Sequence, residues 1–386
     1  MEKITDTITY VGCDDPDIDL FESQYKVPSG MAYNSYLVQD GKNILFDTVD
    51  KRKEEEWKKH VLEALNGEQL DYLIIQHLEP DHSSGIDWIL QTYPEAKIVA
   101  SAKAISMLPN FVDSPIEGRT IAVKDKETLK LGNIDFTFIT APMVHWPEVI
   151  MTYDPKDKIL FAADAFGKFG VRNADEPWDD EARRYYLNIV GKYGPQVQAV
   201  LKKAAGLDIE KVCSLHGPLL TKDQLGHVLE LYDKWSSYTP EFDGILILVA
   251  SIHGHTNVVA EKMKEILEAK GQNVKLIDVT RADVHECVAQ AFSYPKILLI
   301  ACSYDAGLFP PMERMLTILS HKNFQKRIIG MIQNGSWAPS AAKTMKTILE
   351  PCKNLTYVEP VVTITTSLRD KDLPAMEELA DNLIAA

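Results

Sequence analysis

Four side chains of the kinds that bind metals fall within six residues, in His77-Leu78-Glu79-Pro80-Asp81-His82. They directly follow residues 72–76, an apolar run that predicts a buried strand. Imidazole and carboxylate groups together are suitable ligands for first-row transition metals. Pro80 stiffens the loop, and Ser83-Ser84-Gly85 suits the start of a helix. The segment therefore predicts a metal-binding loop at the end of a strand.

One loop cannot complete the coordination of two metal ions, so further ligands must come from elsewhere. The best candidates also follow strand-like runs, and side chains at the ends of adjacent strands converge on one edge of a sheet. These candidates are His145 after residues 136–140, Asp164 after 159–163 and His216 after 212–215.

The remaining histidines of the first half, and two of the second, have ordinary contexts. A lone histidine is usually a packed or exposed residue, and these four lie in helix-like or polar segments. We predict no metal role for His60, His227, His285 and His321. Asp81, taken alone, could merely cap a helix.

Three loops of the second half are candidates for binding a cofactor. A Gly- and Ser-containing loop between a strand and a helix presents backbone N–H groups to an anion. Two further loops follow buried strands, where doubly wound sheets bind ligands. Tyr304 and Trp337 could flank a flat ring or simply pack, and the absence of Gly-x-Gly-x-x-Gly argues against a dinucleotide. The candidate residues are Ser251, His253, Gly254, His255, Thr256, Asn257, Ser303, Tyr304, Asp305, Ala306, Gly307, Asn334, Gly335, Ser336 and Trp337.

The elements that position these residues differ between the two halves. The second half alternates aliphatic runs with helical patterns, which predicts an open, doubly wound parallel sheet. The predicted strands are 245–250, 274–278, 296–301, 327–332 and 357–364, and the predicted helices are 257–270, 311–319, 338–349 and 374–385. The first half opens with short alternating segments, of which 34–39 and 43–47 predict a hairpin joined by Asp40-Gly41, and it continues as mixed sheets with outer helices. Residues 236–244, with Pro240 and Gly244, form the predicted linker, so we predict domains at 1–242 and 243–386.

The amino-acid composition and the net charge exclude some classes of function. There are 41 Lys and Arg against 56 Asp and Glu, giving a formal charge of −15. Residues 244–386 hold 15 of each sign, so the whole excess lies before them, with Asp14, Asp15, Asp17 and Asp19 as predicted surface charge. This acidity argues against nucleic acid as a partner. With no membrane-length apolar run, no signal peptide and five scattered cysteines, we predict a cytoplasmic protein.

The spacing of the candidate ligands resembles one family. His-x-Glu-x-Asp-His, a His 63 residues later, an Asp 19 further on and a final His are similar to the flavodiiron proteins. The resemblance implies a metallo-β-lactamase-like αββα sandwich followed by a flavodoxin-like domain. Hydrolases of the sandwich fold usually have His where Glu79 stands, and a carboxylate there favours iron over zinc.

The resemblance also implies a ligand set and a flavin. One iron would bind His77, Glu79 and His145, and the other Asp81, His82 and His216. Asp164 would bridge the two, while the coordination of His82 varies in this family. The three loops of the second domain resemble those with which flavodoxins bind FMN. Flavodoxins usually place Ser or Thr where this chain has His253.

The function implied by the resemblance is reduction of O2 to water, of NO to N2O, or both. FMN would relay electrons from an external donor such as rubredoxin, in a head-to-tail homodimer or a dimer of dimers of the minimal two-domain type. Tyr25 and Tyr193 are candidate pocket residues. Two alternatives stay open: a zinc hydrolase of the metallo-β-lactamase fold fused to a flavodoxin-like module, and an electron carrier with an empty metal domain.

Overall fold

The computed structural model describes residues 1–386, and the first half of the chain forms two packed β-sheets. Strands Tyr36–Gln39 and Asn43–Phe46 make the predicted hairpin, with Gly41 at a φ of +73° in its turn. The parallel strands that follow are apolar because both faces of the sheet are covered. In spatial order the seven strands of this sheet are Glu2–Lys3, Ile8–Tyr10, Tyr36–Gln39, Asn43–Phe46, Tyr72–Ile74, Lys97–Ser101 and Thr120–Val123.

The second sheet is mainly antiparallel and shares a core with the first. Phe46 of the first sheet stacks on Phe161 of the second, with ring centroids 3.9 Å apart. Side chains of both sheets contribute to one buried hydrophobic cluster, as a sandwich requires. Its six strands, in spatial order, are Thr128–Leu131, Ile134–Thr140, Ile150–Asp154, Ile159–Phe161, Lys211–Cys213 and Leu220–Thr221.

Two short ribbons and several helices complete this part of the chain. The ribbons pair Cys13–Asp15 with Met31–Tyr33 and Leu20–Phe21 with Tyr25–Lys26. The α-helices are Glu54–Leu65, Pro80–Ser83, Ile86–Thr92, Ala102–Met107, Trp178–Tyr185, Gly194–Ala204 and Lys222–Ser236. Three short helices of other types adjoin these α-helices. They are the π-helix Tyr186–Val190 and the 3-10 helices Leu108–Asn110 and Gly191–Tyr193.

The second half is a parallel sheet flanked by helices, as predicted. Its central strand Ile245–Ala250 is buried along its whole length, which explains the uninterrupted aliphatic run. The strand order is Val274–Asp278, Ile245–Ala250, Lys296–Tyr304, Ile328–Asn334 and then the two short strands Thr356–Tyr357 and Val362–Ile364. Gly307–Leu308 pairs with the third of these strands. The helices are His255–Ala269, Val284–Ser293, Pro310–His321, Ala341–Leu349 and Leu373–Ala385, with a 3-10 turn at Asp370–Asp372.

The chain divides into two compact units whose limits interleave. One comprises Met1–Tyr186 and Pro195–Glu230, and the other comprises Leu187–Gly194 and Leu231–Ala386. The second unit thus includes a short segment from the middle of the chain. The domain limits 1–242 and 243–386 stay a prediction. No helix combines the length and the apolar character that crossing a membrane requires.

Candidate metal centre and flavin cavity

All seven predicted metal ligands lie just beyond strand ends of the sandwich. His77 and Glu79 follow strand Tyr72–Ile74, and Asp81 and His82 lie on the short helix Pro80–Ser83. The other three follow strands of the second sheet: His145 after Ile134–Thr140, Asp164 after Ile159–Phe161 and His216 after Lys211–Cys213. The structure brings these seven side chains together as two adjoining groups.

The first group comprises His77, Glu79, His145 and Asp164. Their potential ligand atoms all lie within 4.8 Å of one another. Oε2 of Glu79 is 3.2 Å from Nε2 of His77 and 3.1 Å from Nε2 of His145. Both imidazoles therefore direct the same nitrogen toward one shared space, as ligands of a single ion would.

The second group comprises Asp81, His82 and His216. Oδ2 of Asp81 is 3.3 Å from Nε2 of each histidine, and the two Nε2 atoms are 3.1 Å apart. All three side chains are buried. Two imidazoles and one carboxylate thus converge on a second centre.

Asp164 lies between the two groups, with one oxygen facing each. Its Oδ2 is 3.2 Å from Nε2 of His145 and 3.7 Å from Nε2 of His77. Its Oδ1 is 3.2 Å from Nε2 of His82 and 3.8 Å from Nε2 of His216. A carboxylate placed in this way can bind two metal ions at once, one through each oxygen.

The buried carboxylates make this centre favourable for positive charge. Burial opposes protonation of His77, but Asp164, Glu148 and Glu79 outweigh it and raise the pKa well above its ordinary value. For His145 burial likewise opposes, yet Asp164 and Glu79 raise its pKa to about 9. Burial should raise the pKa of Asp164, but the surrounding histidines lower it strongly. The same field would stabilise bound cations.

Unpaired polar atoms inside the centre fit a metal cluster. Both carboxylate oxygens of Asp81 and Oδ1 of Asp164 are buried and accept no well-aligned hydrogen bond, although imidazole Nε2 atoms lie 3.2–3.3 Å from Oδ2 of Asp81 and Oδ1 of Asp164. Leaving such groups without a partner is costly unless a cation coordinates them. Oxygen-rich ligands with imidazole suit iron better than they suit a structural zinc site. The residues present therefore fit two iron ions.

Two of the candidate ligands are oriented by partners that sequence analysis did not predict. Oε1 of Glu148 is 2.8 Å from Nδ1 of His77 and accepts the Leu78 N–H at 2.9 Å. Nδ1 of His216 is 2.7 Å from the carbonyl oxygen of Ala32. A protonated Nδ1 in each ring leaves Nε2 free to coordinate. Glu148 lies three residues after His145, and this closeness was the only available signal.

His82 is held differently from these two. Its Nδ1 is buried and has no hydrogen-bond partner, whereas its carbonyl oxygen accepts from the N–H and hydroxyl of Thr48. The ring is therefore fixed less by hydrogen bonds than that of His77 or His216. Whether His82 binds a metal ion stays a prediction.

Asp47 holds the start of the candidate metal-binding loop in place through hydrogen bonds. It is fully buried, and its carboxylate accepts the backbone N–H groups of Gln76 at 2.8 Å and His77 at 3.2 Å. The Gln76 side chain also donates to it at 3.1 Å. Burial raises its pKa to about 6. Its position at the end of strand Asn43–Phe46 could have identified it, but sequence analysis treated it only as part of that strand.

Aromatic side chains cover the metal centre. Tyr185 is buried, with its ring 5.6 Å from that of His216, and burial followed by the charges of Asp164, Glu79 and Asp81 raises its pKa. Phe169 lies next to it, at 5.2 Å. Sequence analysis did not single out Tyr185, although it belongs to the same segment as Tyr193.

The two predicted pocket tyrosines have different positions. Tyr25 is buried beside Phe169, with ring centroids 5.5 Å apart, and burial and then Glu22 and Glu79 raise its pKa. It thus belongs to the aromatic cover. Tyr193 lies in the 3-10 helix Gly191–Tyr193, which is part of the second unit. Its role stays a prediction.

In the second unit, the three predicted loops line one cavity of about 840 Å³. Twelve of the fifteen candidate residues contribute to its wall. Gly254, Asn257 and Gly307 are the three that do not. Tyr304 and Trp337 are 44% and 90% exposed, so both are available to a ligand. A cavity of this size and lining could hold a flat cofactor, with an anionic group at the first loop.

Hydrogen bonds hold these loops in place without a ligand. The Ser251 hydroxyl accepts the N–H groups of Gly254 and Thr256 at 3.0 and 3.2 Å. Ser303 accepts the N–H groups that begin helix Ala341–Leu349, so it supports the helix as well as lining the cavity. Thr366, which also lines the cavity, exchanges hydrogen bonds with Asn334. Sequence analysis missed this fourth loop, which follows the last strand.

Comparison with known proteins agrees with this architecture. Residues 31–217 match the model of the ODP family beta lactamase. The chain is 28% identical over 359 residues to an anaerobic nitric oxide reductase flavorubredoxin of Aeromonas hydrophila, covering 90% of this chain and 72% of the relative. It is 31% identical over 343 residues to a putative diflavin flavoprotein A 1 of Nostoc, covering 86% of this chain and 58% of the relative.

A solved structure is similar over the whole length. The rubredoxin oxygen:oxidoreductase of the anaerobe Desulfovibrio gigas superposes with a TM-score of 0.91 at 25% sequence identity. The match covers 100% of this chain and 98% of the other. Both halves of the architecture therefore occur together, in the same order, in a known protein.

Proposed function

We propose that the chain is an oxidoreductase of the flavodiiron protein family and that it reduces O2 to water, NO to N2O, or both, at two irons. One observation carries the proposal: the two oxygens of Asp164 face two separate groups of ligand side chains. This arrangement indicates a centre for two metal ions, and the carboxylate of Glu79 in the first group favours iron over the zinc of the hydrolase alternative. The named activities of the relatives, nitric oxide reductase and oxygen:oxidoreductase, belong to the same class.

We assign the ligands as the two groups suggest. His77, Glu79 and His145 would hold one iron, and Asp81, His82 and His216 the other, with Asp164 shared. When bound, the irons supply a binding place and electrons for the gas, and FMN supplies electrons from an outside donor. Glu148 and the Ala32 carbonyl keep Nε2 of their histidines directed at the centre.

The chain's own residues would control water and protons. Reduction of O2 to two waters consumes four protons and four electrons, and reduction of two NO to N2O and water consumes two of each. The raised pKa of Tyr185 keeps its proton on the hydroxyl beside Asp164, where it can donate a hydrogen bond. Phe169 and Tyr25 exclude bulk water from this side.

The proposal also assigns a cofactor, an electron donor and an oligomeric state to the chain. FMN would occupy the cavity between the loops of the second unit, and its donor would be a rubredoxin-like protein docking on that unit. Rubredoxins are commonly acidic, and residues 244–386 carry no net charge, so repulsion is least there. We also propose a cytoplasmic head-to-tail homodimer, or a dimer of dimers.

The decisive experiment is gas consumption by protein loaded with iron and FMN, with reduced rubredoxin as donor. O2 and NO electrodes should record consumption of at least one gas, with metal analysis near two irons per chain. Consumption of neither gas while both cofactors are bound would overturn the proposal. Two zinc ions with ester or amide hydrolysis would instead support the hydrolase.

A further inference from the structure

The helix that carries Tyr185 changes its type directly after that residue. Helix Trp178–Tyr185 passes without a break into the π-helix Tyr186–Val190. A π-helix joins residues five apart instead of four, so it changes the faces on which the neighbouring side chains lie. Such turns are rare and often occur at functional sites. The groups that hold this turn in place therefore also determine where Tyr185 lies.

Asn188, in the middle of the π-helix, is fixed by hydrogen bonds to distant residues. It is completely buried, and its side-chain N–H donates to the carbonyl oxygen of His285 at 3.0 Å. Its side-chain oxygen is 3.2 Å from Nδ1 of the same histidine. The Asn188 carbonyl accepts a hydrogen bond from Nζ of Lys322. Asn188, His285 and Lys322 all belong to the second unit.

The other end of the same segment is held as well. The Tyr238 hydroxyl donates to the Gly191 carbonyl at 3.0 Å and accepts the Gly194 N–H at 3.2 Å. A Cβ atom at Gly194 would lie 2.3 Å from the Ser236 carbonyl oxygen, so only glycine allows this close approach. Segment Leu187–Gly194 of the second unit is thus anchored at two points.

Tyr185 lies three residues before Asn188 and belongs to the first unit. Its buried ring is 5.6 Å from that of His216 and 5.2 Å from that of Phe169. Its hydroxyl lies close enough to Asp164 to donate a hydrogen bond to the carboxylate. Ring contacts tolerate small shifts, whereas a hydrogen bond weakens steeply when its distance or angle changes. The backbone that follows Tyr185 must therefore be fixed for the hydroxyl to stay in place.

We propose that Asn188 is a positioning residue of the metal centre, because its hydrogen bonds to His285 and Lys322 fix the π-helix and thereby hold the Tyr185 hydroxyl beside Asp164. Asn188 belongs to neither ligand group and acts through Tyr185. The inference rests on the proposed function, because it assumes that the Tyr185 hydroxyl takes part in gas reduction.

The first test is a double-mutant cycle on protein loaded with iron and FMN, with gas consumption as the readout. Tyr185→Phe removes the hydroxyl and should lower turnover about 100-fold, the lower end of what a positioned proton donor contributes. Asn188→Ala should lower turnover about tenfold, because it displaces the donor without removing it. In the Tyr185→Phe background, Asn188→Ala should change turnover less than about twofold.

The cycle separates positioning from general damage. Losses that multiply in the double variant would show that Asn188 does not act through Tyr185, and they would overturn the proposal. Full turnover in Tyr185→Phe would overturn it too, while leaving gas reduction by the chain standing.

The second test reports on Tyr185 in the iron-free protein, without turnover. 3-Fluorotyrosine incorporated at position 185 gives a 19F signal that depends on the surroundings of the ring. We expect this signal to shift or broaden in Asn188→Ala. It should stay unchanged in the control Asn382→Ala, which removes an exposed asparagine hydrogen bond to the Glu359 carbonyl in the same unit. An unchanged signal in Asn188→Ala would contradict the proposal.

Lys322→Met keeps the test decisive if Asn188→Ala does not fold. This variant removes the bond to the Asn188 carbonyl and leaves the contacts of the Asn188 side chain with His285 intact. It should change turnover and the 19F signal in the same direction as Asn188→Ala but by less. Bound FMN shows that each variant is folded.

Two failures have different meanings. If the unmodified, loaded chain consumes neither O2 nor NO, the proposed function fails and this inference fails with it. If the unmodified chain consumes gas, and both Asn188→Ala and Lys322→Met keep its turnover and its 19F signal, this inference alone is overturned.

Discussion

The metal centre and the flavin cavity are built in opposite ways. His77, His82 and His216 are at most 1% exposed, and most of the centre's polar atoms already face one another. The cavity is open, its aromatic residues are exposed, and its loops are held by hydrogen bonds of their own. A centre of buried charges tolerates little change, whereas an open cavity should lose affinity gradually. The predictions below test that difference.

The largest effect should come from Asp164→Asn. The substitution removes the charge that both ligand groups share and leaves an amide nitrogen facing histidines that are 3.2 Å away. Changes to partners of metal ligands typically cost 10–100-fold, so loss of a ligand should reduce gas turnover by at least about a thousandfold. Oxygen and NO electrodes measure turnover, and elemental analysis measures bound iron.

A matched control separates this effect from general damage. Asp135→Asn changes the same residue type at an exposed position of strand Ile134–Thr140, in the same sheet. It should keep both iron and turnover. Asp164→Asn should still bind FMN, because the cavity belongs to the other unit. Full turnover in Asp164→Asn would contradict the ligand assignment.

A smaller effect is expected from Glu148→Gln. The amide oxygen can still accept from Nδ1 of His77, but it carries no charge and holds the ring less firmly. Iron affinity, measured by competition with a chelator, should fall about 10–100-fold. Glu148→Ala should lose more than Glu148→Gln, and the exposed Glu95→Gln should lose nothing. Equal affinities in all four proteins would show that Glu148 does not position the ligand.

The sequence predicted the limits of some strands well, because these limits depend on the local pattern of apolar and polar residues. The strand at 245–250 and the strand at 274–278 have the predicted limits. Helix Val284–Ser293 was missed although Val284, Cys287, Val288, Ala291 and Phe292 recur there at helical spacing. The predicted strand 357–364 is two shorter strands, with Pro360, which cannot donate a backbone hydrogen bond, between them.

The candidate metal ligands could be picked out of the sequence because their residue types and close spacing are distinctive. The groups that hold these side chains in place could not be recognised in the sequence. Glu148 lies 71 residues from His77, and the Ala32 carbonyl lies 184 residues from His216. Tyr185 lies at the buried C-terminal end of helix Trp178–Tyr185, which places its ring beside the centre. Such contacts depend on how distant segments pack, and no periodicity or spacing in one sequence records that.

A substitution in the wall of the cavity should have a more moderate effect than one in the metal centre. Gly335→Ala tests this through the affinity for FMN. A Cβ atom at Gly335 would lie 2.9 Å from the backbone Cα of Pro339, so the loop must shift. Overpacking of this kind costs about 1–3 kcal/mol, and a cost of about 1.4 kcal/mol, near the lower end of that range, corresponds to tenfold weaker FMN binding. Gly307→Ala is the control, since its added Cβ would meet nothing closer than 3.6 Å. Iron content should be unchanged in both.

The smallest effect on electron transfer should come from substitution of the acidic residues near the N-terminus. Some of these residues are buried and others are exposed. Asp15 is buried and paired with Arg52 at 2.5 Å, so its prediction as free surface charge was wrong. Asp17 and Asp19 are exposed.

If an acidic donor docks on the neutral unit, Asp17→Asn/Asp19→Asn should leave the rate of reduction by rubredoxin and its dependence on salt unchanged. Lys343→Glu, an exposed change on the helix that begins beside the cavity wall at Ser340, should slow reduction most at low salt. The reverse pattern would move the docking surface to the metal-binding unit, because only charges near the contact alter the encounter rate.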